Sequence, residues 1–148
     1  MEAALALLGH FLNKGEPVLE TWSAKGKSES FSTDIQADCA LPIVVLVDEE
    51  TASAAEIFAA VLQNKDRAVL IGCTTFGKGL VQKIKVLPTG QGLKYTVSEY
   101  KLPDGTVIQG QGVAPNIVME KQEVPGWAQD SLQDTMLQKA LEQLKDIE

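Results

Sequence analysis

The stretch Ile43-Val44-Val45-Leu46-Val47-Asp48, followed by Thr51-Ala52-Ser53-Ala54-Ala55-Glu56 and then by Ala68-Val69-Leu70-Ile71-Gly72, decides the fold. The first run is short, apolar and rich in β-branched residues, so it reads as a buried strand, and the last run has the same character. Residues 53–63 between them read as a helix, which makes the set a βαβ unit with two parallel strands and a right-handed crossover. Ser53 falls where the first strand breaks into the helix, a hydroxyl at a positive helix end.

Upstream of this unit, residues 2–13 read as a helix with Leu5, Leu8, Phe11 and Leu12 along one face and a stop at Lys14-Gly15. It has no N-cap and begins at Met1 as if the chain had been cut inside an element. Val18 to Trp22 reads as a strand, and residues 23–30 as an exposed loop or hairpin. Downstream, alternation from Val81 sets Gln82, Ile84 and Val86 on one face, predicted to point inward, where a glutamine needs a partner. Strands over Leu93–Leu102 and Thr106–Gln109 flank the turn Pro103-Asp104-Gly105. Gly110, Gly112 and Pro115 then break the chain before Asn116-Ile117-Val118-Met119. Beyond Pro125-Gly126 a last helix is expected from about Ser131, striped by Leu132, Met136, Leu137, Ala140, Leu141 and Leu144.

With 148 residues, 45% of them hydrophobic and 22% charged, the composition is that of one soluble globular domain. A formal charge of −7 argues against nucleic acid or an anionic membrane as partner, because phosphate binding needs clustered Lys and Arg. No apolar run approaches the roughly 20 residues of a membrane helix, and the N-terminus lacks the basic region of a signal peptide. Cys39 and Cys73 lie at opposite ends of the two parallel strands, too far apart for a disulfide, so both are expected to be free thiols. Two cysteines without histidines at ligand spacing also make no zinc site, and no metal is expected. The lone His10 offers a Ser-His-Asp triad only one weak base and reads as a partly buried surface histidine.

The remaining chemistry lies in Ser53 and the run Thr75-Phe76-Gly77-Lys78-Gly79-Leu80-Val81-Gln82. A serine hydroxyl becomes a nucleophile when a base takes its proton, and a lysine amine serves only when neutral. Neutrality at pH 7 takes a drop from about 10.4, for which burial is the usual source, so the expected surroundings of Lys78 are apolar, with Phe76 and the Ala-rich start of the helix as walls. Gln82 suits an orienting role because its amide adds no charge, and the Ala54 N–H, just past Ser53, is a natural oxyanion donor. Plainer readings stand beside these. Ser53-Ala54-Ala55-Glu56 is also a capping box, Lys78 an exposed loop lysine, and Gln82 an ordinary sheet residue. Glu56 would work against the mechanism if its carboxylate held the lysine in its charged form.

Thr51 to Glu56, Gly72 to Gln82 with its Gly77-Lys78-Gly79 core, and Tyr100 to Pro115 with Pro103-Asp104-Gly105 and Ile108-Gln109-Gly110-Gln111-Gly112 resemble, in that order, the carboxy-terminal processing or tail-specific peptidases. The resemblance runs from the first helix to Met119. It implies a ClpP/crotonase-type α/β core and a Ser-Lys dyad supported by Gln, which fall here on Ser53, Lys78 and Gln82. It also implies protein or peptide substrates cut near their C-termini, no metal or cofactor, and work in the periplasm, at the cell envelope or in the thylakoid lumen. Such peptidases carry a PDZ domain, the first half of the core and an Asp-Leu-Arg…Gly-Gly segment with a second oxyanion donor ahead of the region where this sequence starts. Residues 1–148 are therefore expected to be the C-terminal portion of a catalytic domain, with weak activity alone and self-association through an exposed sheet edge. The contrasting expectation is a non-catalytic scaffold that binds or assembles through that edge.

Overall fold

The computed structural model describes residues 1–120 and 134–147. In chain order the elements are α1 (Glu2–Leu8), β1 (Pro17–Ser23), β2 (Ser28–Ser32), β3 (Val44–Val47), α2 (Ala54–Asn64), β4 (Val69–Gly72), β5 (Leu80–Val86), β6 (Gly92–Lys101), β7 (Ile117–Val118) and α3 (Thr135–Ile147). The βαβ unit is β3-α2-β4, with the strands parallel from Val44↔Val69 to Val47↔Gly72. Short β7 joins the far side of β4, also in parallel, and gives a sheet in the order β3-β4-β7. A second, antiparallel sheet has the order β2-β1-β6-β5.

One apolar core lies between α1, α2 and these sheets. Leu8, Val18, Leu19, Ile57, Leu62, Leu70 and Ile108 are each at most 1% exposed, and each such side chain contributes about 1.5–3 kcal/mol of burial. Phe11 and Phe58 meet edge to face at 5.8 Å where the start of the chain packs on α2. Helix α2 closes with a left-handed Asp66 and the bonds Arg67 N–H to Leu62 O and Asp66 N–H to Gln63 O, which turn the chain sharply into β4.

Several expectations change. The first helix ends at Leu8, because Gly9 is a poor helix residue and the chain goes on as tight turns, His10 N–H to Leu7 O and Phe11 N–H to Leu8 O. His10 is exposed, with Nδ1 3.0 Å from Asp38. Strand β3 is less buried than its composition implies, since Leu46 on this edge strand is 40% exposed. The Thr106–Gln109 strand shrinks to one bridge, Lys101↔Val107. On β5, the face of Gln82, Ile84 and Val86 is open to solvent, with Ile84 72% and Val86 70% exposed. The residues 23–30 form a hairpin turn with the start of β2, and both cysteines are free. Helix α3 carries the stripe from Met136 to Leu144, while Ser131 and Leu132 lie outside the described residues.

Candidate functional site

Asp48 ends β3 in a side-chain-supported turn: its carboxylate accepts the Glu50 and Thr51 N–H groups, each at 3.0 Å, and its own N–H donates to Thr51 Oγ1. This turn delivers Ser53 to the N-cap of α2 at φ 59° and ψ −114°. That backbone region suits glycine, and holding another residue there costs about 1–3 kcal/mol unless its surroundings enforce it. The enforcement is visible. The Ser53 N–H donates to Glu56 Oε2 at 2.8 Å, and its carbonyl accepts the Ile57 N–H at 3.1 Å.

Glu56 is fully buried, and its carboxylate does more than close a capping box. Oε1 accepts the Thr75 hydroxyl and the Gly77 N–H, each at 2.6 Å, and Oε2 accepts the Lys78 N–H at 2.8 Å beside the Ser53 N–H. Four donors thus fill the acceptor capacity of one carboxylate. The partners are backbone groups and a threonine, not Lys78 Nζ, so the expected conflict between Glu56 and a lysine base takes a different form: Glu56 organises the lysine's loop.

Other side chains complete the cradle. The Tyr100 hydroxyl donates to the Lys78 carbonyl and lies 3.3 Å from the Ser53 carbonyl. Burial drives the Tyr100 ionisation upward, the nearby Glu56 carboxylate adds to the rise, and a hydrogen bond with Ser53 partly offsets it, so the phenol remains a donor. Gln109 Oε1 accepts the Gly79 N–H at 2.8 Å, and the Gly77 carbonyl accepts the Gly110 N–H at 2.9 Å. Glycine is required where these segments touch: a Cβ on Gly112, at φ +72°, would lie 2.2 Å from the Thr75 carbonyl oxygen, and one on Gly79 would lie 2.6 Å from the Gln109 nitrogen. The Ile108-Gln109-Gly110-Gln111-Gly112 segment therefore serves as the floor under the lysine loop rather than as a strand.

The backbones of Ser53 and Lys78 are thereby brought together. Ala54, residue N1 of α2, has an N–H that its own helix leaves without a partner. Lys78 is half-buried, but Phe76 is 67% exposed and walls nothing, contrary to expectation. Gln82 is exposed on β5 and hydrogen-bonded to neither residue among the described residues. Reading the sequence missed Tyr100, Gln109 and Thr75. All three lie within the quoted motif stretches, yet nothing in their spacing signals the contacts that they make with distant segments.

The chain matches Peptidase family S41 over residues 1–119. It is 38% identical over 128 residues to the carboxy-terminal processing protease CtpA of Bacillus subtilis, a match that covers 86% of this chain and 27% of that protein. It is 36% identical over 115 residues to the C-terminal processing peptidase, chloroplastic, of Tetradesmus obliquus, covering 77% of this chain and 25% of the relative. Among solved structures, the photosystem II D1 C-terminal processing protease superposes with a TM-score of 0.74 at 33% identity, over 84% of this chain and 32% of that one. The chain thus spans about a quarter to a third of the length of these proteins, and its βαβ unit, hairpins and C-terminal helix form part of the α/β peptidase core they share. The chain belongs to peptidase family S41, the C-terminal processing serine peptidases.

Proposed function

We propose that residues 1–148 are the C-terminal portion of the catalytic domain of a serine endopeptidase that cleaves proteins near their C-termini, with Ser53 as nucleophile and Lys78 as base. Ser53 Oγ attacks the scissile carbonyl while Lys78 Nζ takes its proton and returns it to the leaving amine. Water then hydrolyses the acyl-enzyme with Lys78 again as base. The Ala54 N–H donates to the oxyanion, and Gln82, on the strand that begins beside Lys78, orients the amine. Work in the periplasm, at the cell envelope or in the thylakoid lumen belongs to the same proposal, and one named relative is chloroplastic.

The observation that carries this reading is the Glu56 carboxylate. A helix cap alone requires the bond to the Ser53 N–H. It does not require the same two oxygens to take the Gly77 and Lys78 N–H groups from a segment beyond the next strand. That arrangement makes sense if the positions of Ser53 and Lys78 relative to each other matter.

The test is peptide cleavage by a full-length peptidase that has this chain as its C-terminal part. Ser53→Ala and Lys78→Ala are each expected to lower kcat by about 10⁴-fold or more. Cleavage that persists unchanged in either variant removes that residue from the mechanism.

A further inference from the structure

The sequence distributes its charge unevenly. Residues 67–98 hold Arg67, Lys78, Lys83, Lys85 and Lys94 and not one acid, so all 20 Asp and Glu residues lie elsewhere in a chain of net charge −7. The centre of this basic segment is the β5–β6 hairpin. Its strand β5 is the outermost of the sheet β2-β1-β6-β5, paired on one side only among the described residues. Every second residue of β5 therefore presents its N–H and C=O to solvent, a ready template for another strand. The side chains that flank this edge are Lys83, Ile84, Lys85 and Val86, cation and apolar group in strict alternation, all exposed. Lys83 and Lys85 stand opposite Tyr95 and Leu93 on one face, and Ile84 and Val86 opposite Lys94 and Gly92 on the other.

We propose that the free edge of β5 binds an extended peptide segment as an added strand, and that it selects sequences alternating acidic and apolar residues. Acidic side chains on that segment meet Lys83 and Lys85, and apolar ones meet Ile84 and Val86, because directly opposed residues of paired strands share a face. The charge complementarity is the argument for a peptide of this composition: an acidic strand finds cations here and repulsion over the rest of the molecule. As a substrate subsite the edge is well placed, since β5 starts at Leu80, just past Lys78. That use rests on the peptidase reading above, but binding itself does not need catalysis.

The test is fluorescence anisotropy with the Ser53→Ala form of this chain and the fluorescein-labelled peptide Glu-Leu-Glu-Val-Glu-Leu-Glu. Binding is expected, weakening as salt rises and lost in the lysine-for-glutamate peptide. The double variant Lys83→Glu/Lys85→Glu should bind about tenfold or more weakly, and methylating alternate peptide nitrogens in one of the two possible sets should abolish binding while the other set is tolerated. Because Ile84→Thr preserves the strand and trims its apolar edge, a loss of affinity there supports the same conclusion if the charge reversal disturbs folding. The proposal falls if both N-methylated peptides bind as well as the parent, which would mean charge attraction without strand pairing. It also falls if the chain ignores the peptide and sediments with phosphatidylglycerol vesicles, or if the hairpin proves instead to join two copies of the chain into a dimer. Whether full-length Ser53→Ala loses cleavage is a separate result, so the binding site and the dyad stand or fall independently.

Discussion

The crossing of the Ser53 turn with the lysine loop and the β5–β6 hairpin begin within two residues of each other, and they are built on opposite principles. At the crossing, the backbone groups that hold the two segments in place have side-chain partners. Glu56 takes three N–H groups, Tyr100 takes the Lys78 carbonyl, and Gln109 takes the Gly79 N–H. Along the hairpin, large apolar side chains and lysines stand in solvent and one strand edge is unpaired among the described residues. The first arrangement uses polar groups to make a strained geometry stay put. The second leaves its capacity for hydrogen bonding and apolar contact unspent, which is the condition of a surface awaiting a partner.

The contrast breaks first at Glu56 if it is wrong. Glu56→Ala leaves one buried and two part-buried N–H groups and the buried Thr75 hydroxyl without their acceptor, an expected loss of about 3–5 kcal/mol in unfolding free energy, with Glu56→Gln losing about half as much. Denaturant midpoints at unchanged slope measure it, and a loss below about 1 kcal/mol would mean water replaces the carboxylate at little cost.

Tyr100 sharpens the same side of the comparison. Because burial raises its ionisation above the ordinary value of 10.0, the unfolded chain gives up the phenol proton first. Its contribution is complete below pH 10 and declines as pH rises beyond it, by at most about 1.4 kcal/mol per pH unit. Tyr100→Phe should remove that part of the alkaline slope and lower stability at neutral pH by about 1–2 kcal/mol through the unpaired Lys78 carbonyl. An alkaline slope identical in the two proteins would contradict a buried phenol. On the hairpin side the expected effect is smallest: Ile84→Ser or Val86→Ser should change stability by no more than about 0.5 kcal/mol, because neither side chain is covered. A larger destabilisation, read from the same denaturation curves, would show that the hairpin is packed in solution.

Much of the architecture could be read along the chain. The β3-α2-β4 unit, the turn at Pro103-Asp104-Gly105 and the stripe of α3 follow from local composition and period, which the tertiary structure leaves in place. The second strand of the 103–105 turn could not be read so. Asp104 accepts the Thr106 N–H at 2.9 Å and is itself held by Asn64 at 2.7 Å, and these contacts lower its ionisation, the Thr106 bonds most of all. The chain after Thr106 is thereby directed beneath the glycine loop instead of along β6. Alternation on β5 separates Ile84 and Val86 from Lys83 and Lys85, yet all four meet solvent, because whether a face is covered depends on layers contributed from elsewhere.

By itself, the order of residues determined a helix mouth with a serine, a lysine between glycines, two free thiols and the kinship these motifs carry, since each depends on neighbours a few positions away. Tertiary structure alone decided that Glu56, readable locally as a helix cap or a hazard, would join two distant segments, that Tyr100 would close over them, and that the face of Gln82 would meet solvent. The physical reason is that a buried carboxylate must collect its donors from whatever backbone surrounds it, and no periodicity in the sequence records which backbone that will be.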